Sequence, residues 1–203
     1  MSEKYKNKYR IKSARMPNWD YGSNGMYFIT ICTQNRKCFF GEIYDGKMQL
    51  NNIGKIVNTE WLKTFELRTD MNLQMGEFVV MPNHFHAIII IGDNEYNMDA
   101  KRGERGERDR RDAMHCVSTT TDTTNHVNNK QKNKFGPQSK NLASIVRGFK
   151  SSVTTYARKN GNIDFGWQPR FYDHIIRNEK SFHNISNYII NNPKKWNEDK
   201  FYK

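Results

Sequence analysis

His84 and His86 stand two positions apart at the head of the run His84-Phe85-His86-Ala87-Ile88-Ile89-Ile90-Ile91. In a β-strand, side chains at i and i+2 point to the same face. Both imidazoles can therefore meet one divalent cation, with Phe85 turned to the opposite face. Read without a metal, the pair is two histidines hydrogen-bonded at a strand end, because polar rings at the mouth of so apolar a strand need partners. The same H-x-H pattern occurs in metal-dependent hydrolases built on barrels. An eight-fold barrel usually needs about 250 residues, whereas this chain has 203, part of them in a low-complexity stretch, and no repeat.

A second constellation is Tyr188 with Asn192, and Tyr156 with Asn160 has the same spacing. Residues i and i+4 share one helix face. A tyrosine so placed can attack a phosphodiester while an amide oxygen one turn away reaches a metal. Each also fits an ordinary packed stripe, with Phe182, Ile185 and Ile189 around Tyr188, and with Phe149 and Val153 before Tyr156. Spacing alone leaves both tyrosines open. The register of Tyr156 with its apolar stripe favours a core role for it.

These residues need elements to hold them. Met26 to Thr33 is β-branched and aromatic and reads as a buried strand. Asp45-Gly46 is a turn signal before a short strand near Lys47 to Leu50. Ile53, Ile56, Val57, Trp61 and Leu62 have helical spacing, which predicts an amphipathic helix over 53–67. Glu77 to Val80 reads as a strand, turned through Pro82-Asn83 into the histidine strand, whose isoleucines suggest cover on both faces. A helix over about 141–160 carries Leu142, Ile145, Val146, Phe149 and Val153, and Gly161 is a fitting stop. Arg170 to Ile176 reads as a strand, and 179–191 as a last helix stopped by Pro193. Apart from the short second strand the order is βαββαβ, the split pattern of a ferredoxin-like sheet, plus one helix. The expected class is α+β, a ferredoxin-like sandwich with a mainly antiparallel sheet.

Composition sets the surroundings. The formal charge is +12 and the pI about 9.6, an excess that attracts polyanions. A nucleic acid is the expected partner; an anionic membrane surface lacks the basic amphipathic helix it would need. Residues 1–20 interleave lysines and arginines with Tyr5 and Tyr9 and read as a basic arm, either lying on a phosphate backbone or merely solubilising. Residues 93–140 are charge, glycine, threonine and asparagine, too polar to bury a core, and are expected to form a disordered insertion, with a DNA-contacting loop as the alternative. The folded domain is then expected in two parts, 21–92 and 141–203. Cys32, Cys38 and Cys116 have no metal-ligand spacing and suit a reducing compartment. With no apolar leader at its start and no apolar run of membrane length, the chain is expected to be cytoplasmic. Monomer and homodimer are both open.

Three segments taken together carry a resemblance. Val80-Met81-Pro82-Asn83-His84-Phe85-His86, Trp167 through Asn178, and Tyr188-Ile189-Ile190-Asn191-Asn192-Pro193 resemble the signatures of REP-associated tyrosine transposases, the single-tyrosine branch of the HUH superfamily. The early strand Tyr27 to Thr33 with Asn35-Arg36 resembles that family's start. The likeness runs over about 26–92 and 141–196. It implies a ferredoxin-like fold, a Mg²⁺ or Mn²⁺ ion on His84 and His86, and Tyr188 as the residue that becomes linked to a DNA 5′-phosphate. The third ligand falls on Asn192, where related insertion-sequence enzymes usually carry glutamine. The long insertion after Gly92 is a second departure. The implied reaction is cleavage and rejoining of single-stranded or hairpin DNA. Arg147, Lys150, Arg170 and Arg177 are candidate phosphate contacts, and Trp167 and Tyr172 candidate base-stacking rings. Ordinary surface charge and core packing are the competing roles for these six. A replication initiator or relaxase, or a non-catalytic DNA-binding regulator, are the rival functions.

Overall fold

The computed structural model describes residues 15–16, 19–98 and 139–202. In chain order the elements are β1 (Gly25–Cys32), β2 (Gly41–Tyr44), β3 (Lys47–Leu50), α1 (Asn52–Glu66), β4 (Leu73–Met81), β5 (His84–Ile91), α2 (Leu142–Lys159), β6 (Tyr172–Ile176) and α3 (Glu179–Asn191), followed by a 3-10 turn over Pro193–Glu198. Four strands form one sheet in the order β4-β5-β1-β6, each adjacent pair antiparallel, and β2 pairs with β3 apart from it. β1 and β4 flank β5, which is the split arrangement expected, and the class is α+β.

The strand pleat sorts the side chains into two faces. Tyr27, Ile29 and Ile31 of β1 and Phe85, Ala87, Ile89 and Ile91 of β5 pack with Val57 and Trp61 of α1 and with Ile145, Phe149 and Val153 of α2. The other face carries Phe28, Ile88 and Ile176, covered by Phe182, Ile185 and Ile189 of α3. Two helices thus lie on one side and α3 on the other. Each helix begins on an asparagine whose side chain accepts from a first-turn amide: Asn51 from Gly54, Asn141 from Ser144 and Asn178 from Ser181. Ser144 returns the bond to Asn141, completing a capping box.

Three boundaries differ from the sequence reading. β4 starts at Leu73 rather than Glu77, and its pairing with β5 shifts register between Met75 and Phe78. Gly76 lies in that irregularity, where a Cβ would stand 2.8 Å from Cβ of Ile88. A glycine in a strand marks such close approach and hides the strand from pattern reading. β6 starts at Tyr172, not Arg170, because Gln168 N–H has already bonded the Cys32 carbonyl and Pro169 has no N–H to offer. Finally, residues 93–98 are tied to the domain: the Asn94 amide donates to Met71 and Gly92 carbonyls, and buried Asn97 donates to Gly92. The rest of the segment read as an insertion, 99–138, and the arm over 1–14 lie outside the described residues.

Candidate metal and nucleophile site

The tight turn between β4 and β5 delivers Asn83, His84 and His86 to the α3 side of the sheet, all three fully or almost fully buried. The imidazole centroids of His84 and His86 are 4.5 Å apart. Phe85 lies on the opposite face, against Trp61 and Phe149.

Hydrogen bonds fix how each ring is turned. The Asn83 amide nitrogen donates to the Arg36 carbonyl at 3.2 Å and to the Phe201 carbonyl at 2.8 Å. Its oxygen is therefore the atom 2.9 Å from His84 Nδ1, and that nitrogen must carry the proton. His84 Nε2 is left with a bare lone pair, buried and without a hydrogen-bond partner. His86 Nδ1 lies 2.9 Å from Thr30 Oγ1, a hydroxyl that can accept from or donate to the ring. His86 Nε2 is hydrogen-bonded to the Tyr188 hydroxyl at 3.2 Å.

Asn192 completes the set from the end of α3. Its amide nitrogen donates to Asp199 Oδ2 at 2.8 Å, so its oxygen points the other way. That oxygen is buried and unpartnered, and the side chain is close enough to His84 to favour the charged ring. Two acceptors, His84 Nε2 and Asn192 Oδ1, thus share one buried space with no hydrogen between them. A cation would satisfy both acceptors at once. His84, His86 and Asp199 each offer an atom within 4.8 Å of the others.

Burial pushes His84 down to about 3 and His86 well below the usual histidine range; Arg36 and Lys200 add to the effect on His84, and the neighbouring His84 on His86. Both rings are neutral at physiological pH, the state in which imidazole ligates metals. Burial, and then the Asp199 charge, raise Tyr188 up to about 12. The phenol is protonated at rest, and 42% exposed.

Tyr156 is elsewhere. It is half-buried on α2, on the far side of the sheet, and Asn160 there turns its amide back to the Tyr156 carbonyl. Of the six residues read as DNA contacts, only Tyr172 comes near: it pairs with Thr30, next to His86, and is 59% exposed. Arg177 is exposed past the end of β6, beside Met16, and Arg170 is exposed in the preceding loop. Arg147 is exposed on α2. Lys150, lowered by burial, donates to the Gln168 carbonyl at 2.6 Å. Trp167 stacks among Phe40, Phe149 and Phe165 and donates to the Lys150 carbonyl. The structure thus gives these last two residues packing partners away from the histidines.

Asp199 was not found from the sequence. It stands in the charged stretch Asn197-Glu198-Asp199-Lys200, where nothing in type or spacing sets it apart. The buried aromatics on either side, Trp196 and Phe201, were the one available signal that this segment folds back on the domain.

No protein-family model matches the chain. A protein of Haemophilus influenzae, described as uncharacterized, is 37% identical over 191 residues, which span 94% of this chain and 92% of that protein. Among solved structures, a REP-associated tyrosine transposase bound to a REP hairpin superposes with a TM-score of 0.50 at 18% identity, over 98% of this chain and 77% of that one. At that identity the likeness is one of fold. Among the described residues, no helix is long and apolar enough to cross a membrane.

Proposed function

The chain belongs to the family of that Haemophilus influenzae protein, and we propose that it is a metal-dependent single-stranded DNA endonuclease and strand-transferase, a transposase that works through a 5′-phosphotyrosine on Tyr188. The observation that carries this reading is the Tyr188 hydroxyl at 3.2 Å from His86 Nε2, beside the unpartnered His84 Nε2 and Asn192 Oδ1.

The donor set fits a divalent ion. His84 and His86 would hold it through Nε2, with oxygen from Asn192 and Asp199. Two nitrogen and two oxygen donors suit Mn²⁺, and Mg²⁺ through the oxygens. Such an ion supplies a Lewis acid that draws off charge from a phosphodiester oxygen. The chain's own residues do the rest. Asn83 locks the His84 imidazole in one tautomer and Thr30 braces the His86 ring, the kind of orientation that second-neighbour hydrogen bonds typically secure. Tyr188 attacks phosphorus in line; its oxygen gains the P–O bond, the P–O3′ bond breaks, and the 3′ oxygen takes a proton from solvent water and leaves as a hydroxyl. The phenol's own proton passes to solvent, to which the 42% exposed Tyr188 is open. Because the ester conserves bond energy, a 3′-hydroxyl can reverse the reaction and join strands.

The test is adduct formation on a labelled hairpin oligonucleotide with a single-stranded flank, in Mn²⁺. The wild type should give a denaturant-stable protein–DNA adduct that mass spectrometry maps to Tyr188. Tyr188→Phe should fold and bind but form none, and Tyr156→Phe should still form it. An adduct on Tyr156, or normal cleavage by Tyr188→Phe, would overturn the assignment.

A further inference from the structure

The polar groups around the Tyr188 hydroxyl are the ones that the proposed ion would use. The hydroxyl is hydrogen-bonded to His86 Nε2 at 3.2 Å, and the Asn192 and Asp199 side chains are within its reach. Those three groups, with His84, are also the candidate metal donors. A neutral imidazole nitrogen carries either one proton or one lone pair. The atom that bonds the hydroxyl therefore cannot hold a cation at the same time, whichever tautomer His86 adopts. Hydroxyl and ion exclude each other at His86 Nε2.

The Tyr188 side chain has room to give way, being 42% exposed. Its helix does not, because Phe182, Ile185 and Ile189 of α3 pack on Ile88 and Ile176. Aromatic contacts then steer the ring. His86 meets it with centroids 5.3 Å apart, and Phe28 meets it edge-on, at 6.2 Å and 87°. Phe28 also stacks on the His86 imidazole, at 5.2 Å and 29°. β1 fixes Phe28 in the sheet, where it pairs with Ile88 on one side and His174 on the other. One ring thus touches both a metal ligand and the nucleophile, and edge-to-face pairs contribute beyond the area they bury.

We infer that the Tyr188 hydroxyl is released from His86 Nε2 when an ion binds there, and that Phe28 is the positioning residue that keeps the released ring beside the metal ligands. The inference rests on the metal-dependent reading of the site and adds how the nucleophile is held before and after loading. A Phe28 that merely packed would have a different signature. Its loss would cost stability and leave the chemistry of the folded protein unchanged.

The experiment begins with calorimetric titration of the protein by Mn²⁺ alone, without DNA. Tyr188→Phe keeps the ring and removes the competing hydroxyl. It should bind Mn²⁺ about 2- to 10-fold more tightly than the wild type, the range for one hydrogen bond. Equal affinity would overturn the exclusion, and weaker binding would make the hydroxyl a ligand instead. If neither protein takes up Mn²⁺, the metal reading itself fails and the inference with it. The second arm uses Phe28→Leu and Phe28→Met, which keep an apolar wall without the ring. Mn²⁺ affinity and the hairpin concentration at half-maximal rate should match the wild type. Adduct formation at saturating hairpin and Mn²⁺ should slow about 10- to 100-fold, as misplacing a reacting group does. A folded variant that forms adduct at the wild-type rate removes Phe28 from this role, and so does one whose loss lies wholly in hairpin binding.

Discussion

At the scale of single residues, the site depends on which nitrogen of each histidine carries its proton. Asn83 decides this for His84, because its two amide donations leave only its oxygen to face the ring. Asn83→Leu should release the ring and lower Mn²⁺ affinity about 10- to 100-fold, the usual loss when a ligand's supporting bond is removed. Asn83→Asp keeps the acceptor for Nδ1–H and should retain the wild-type tautomer in ¹⁵N spectra of the metal-free protein. Unchanged Mn²⁺ affinity by calorimetry in the folded leucine variant would remove Asn83 from this role. A pH effect follows from the same burial. The folded pKa of His84, about 3, lies below its unfolded value near 6.5. Below pH 6.5 the unfolded chain takes up a proton that the folded chain refuses, so stability falls as pH drops from about 6.5 toward 3. The slope is at most about 1.4 kcal/mol per pH unit for this group. Denaturant midpoints without metal at pH 7 and pH 5 check it: the drop should be smaller in a His84→Gln variant than in the wild type, the remainder belonging to His86, which burial also holds below the usual range.

At the scale of elements, the hairpin β2–β3 and helix α1 meet through backbone. A Cβ on Gly54 would stand 2.1 Å from the Phe40 carbonyl oxygen. Gly→Ala in a helix normally stabilises by about 1 kcal/mol. Here the carbonyl belongs to Phe40, which is fully buried and accepts the Asn51 N–H at 3.0 Å, so it cannot move aside without cost. Gly54→Ala is expected to lower the melting temperature rather than raise it. A stabilised variant would mean that the helix can shift away from the hairpin freely. The consequence reaches the site, because the residue before that hairpin's start, Phe40, bonds the Pro82 carbonyl in the turn that carries Asn83 and His84.

At the scale of the whole molecule, the described residues stop at Met98 and resume at Ser139, and Lys140 Nζ lies 2.8 Å from the Tyr96 hydroxyl. The two ends are thus neighbours, and a short linker can join them. Replacing 99–138 with a few glycines and serines should leave the melting temperature within a few degrees, since loop length enters the closure free energy only logarithmically. A large loss of stability would show that the segment is part of the core. Unchanged stability with weakened hairpin binding would instead give it a role in holding DNA.

The sequence by itself determined the α+β class, the shared face of His84 and His86, and the apolar stripes of the helices. These follow from local periodicity, 2 in a strand and 3.6 in a helix, which any short window displays. It could not choose between Tyr188 and Tyr156 by spacing, because a spacing of four places two side chains on one helix face and says nothing about which side of a sheet that helix covers. Only the tertiary structure separates the two, by laying α3 with Tyr188 over the histidine face and α2 with Tyr156 over the other. It alone revealed Asp199, carried to His84 and His86 by the turn after Pro193 and by the burial of Trp196 and Phe201. It also gave Asn83 its meaning: in sequence it is a turn residue, and its three partners come from a neighbouring side chain, a loop after β1 and the C-terminal segment. Contacts between distant segments leave no period in the chain, so a residue whose work is done through them is legible only once the chain has folded.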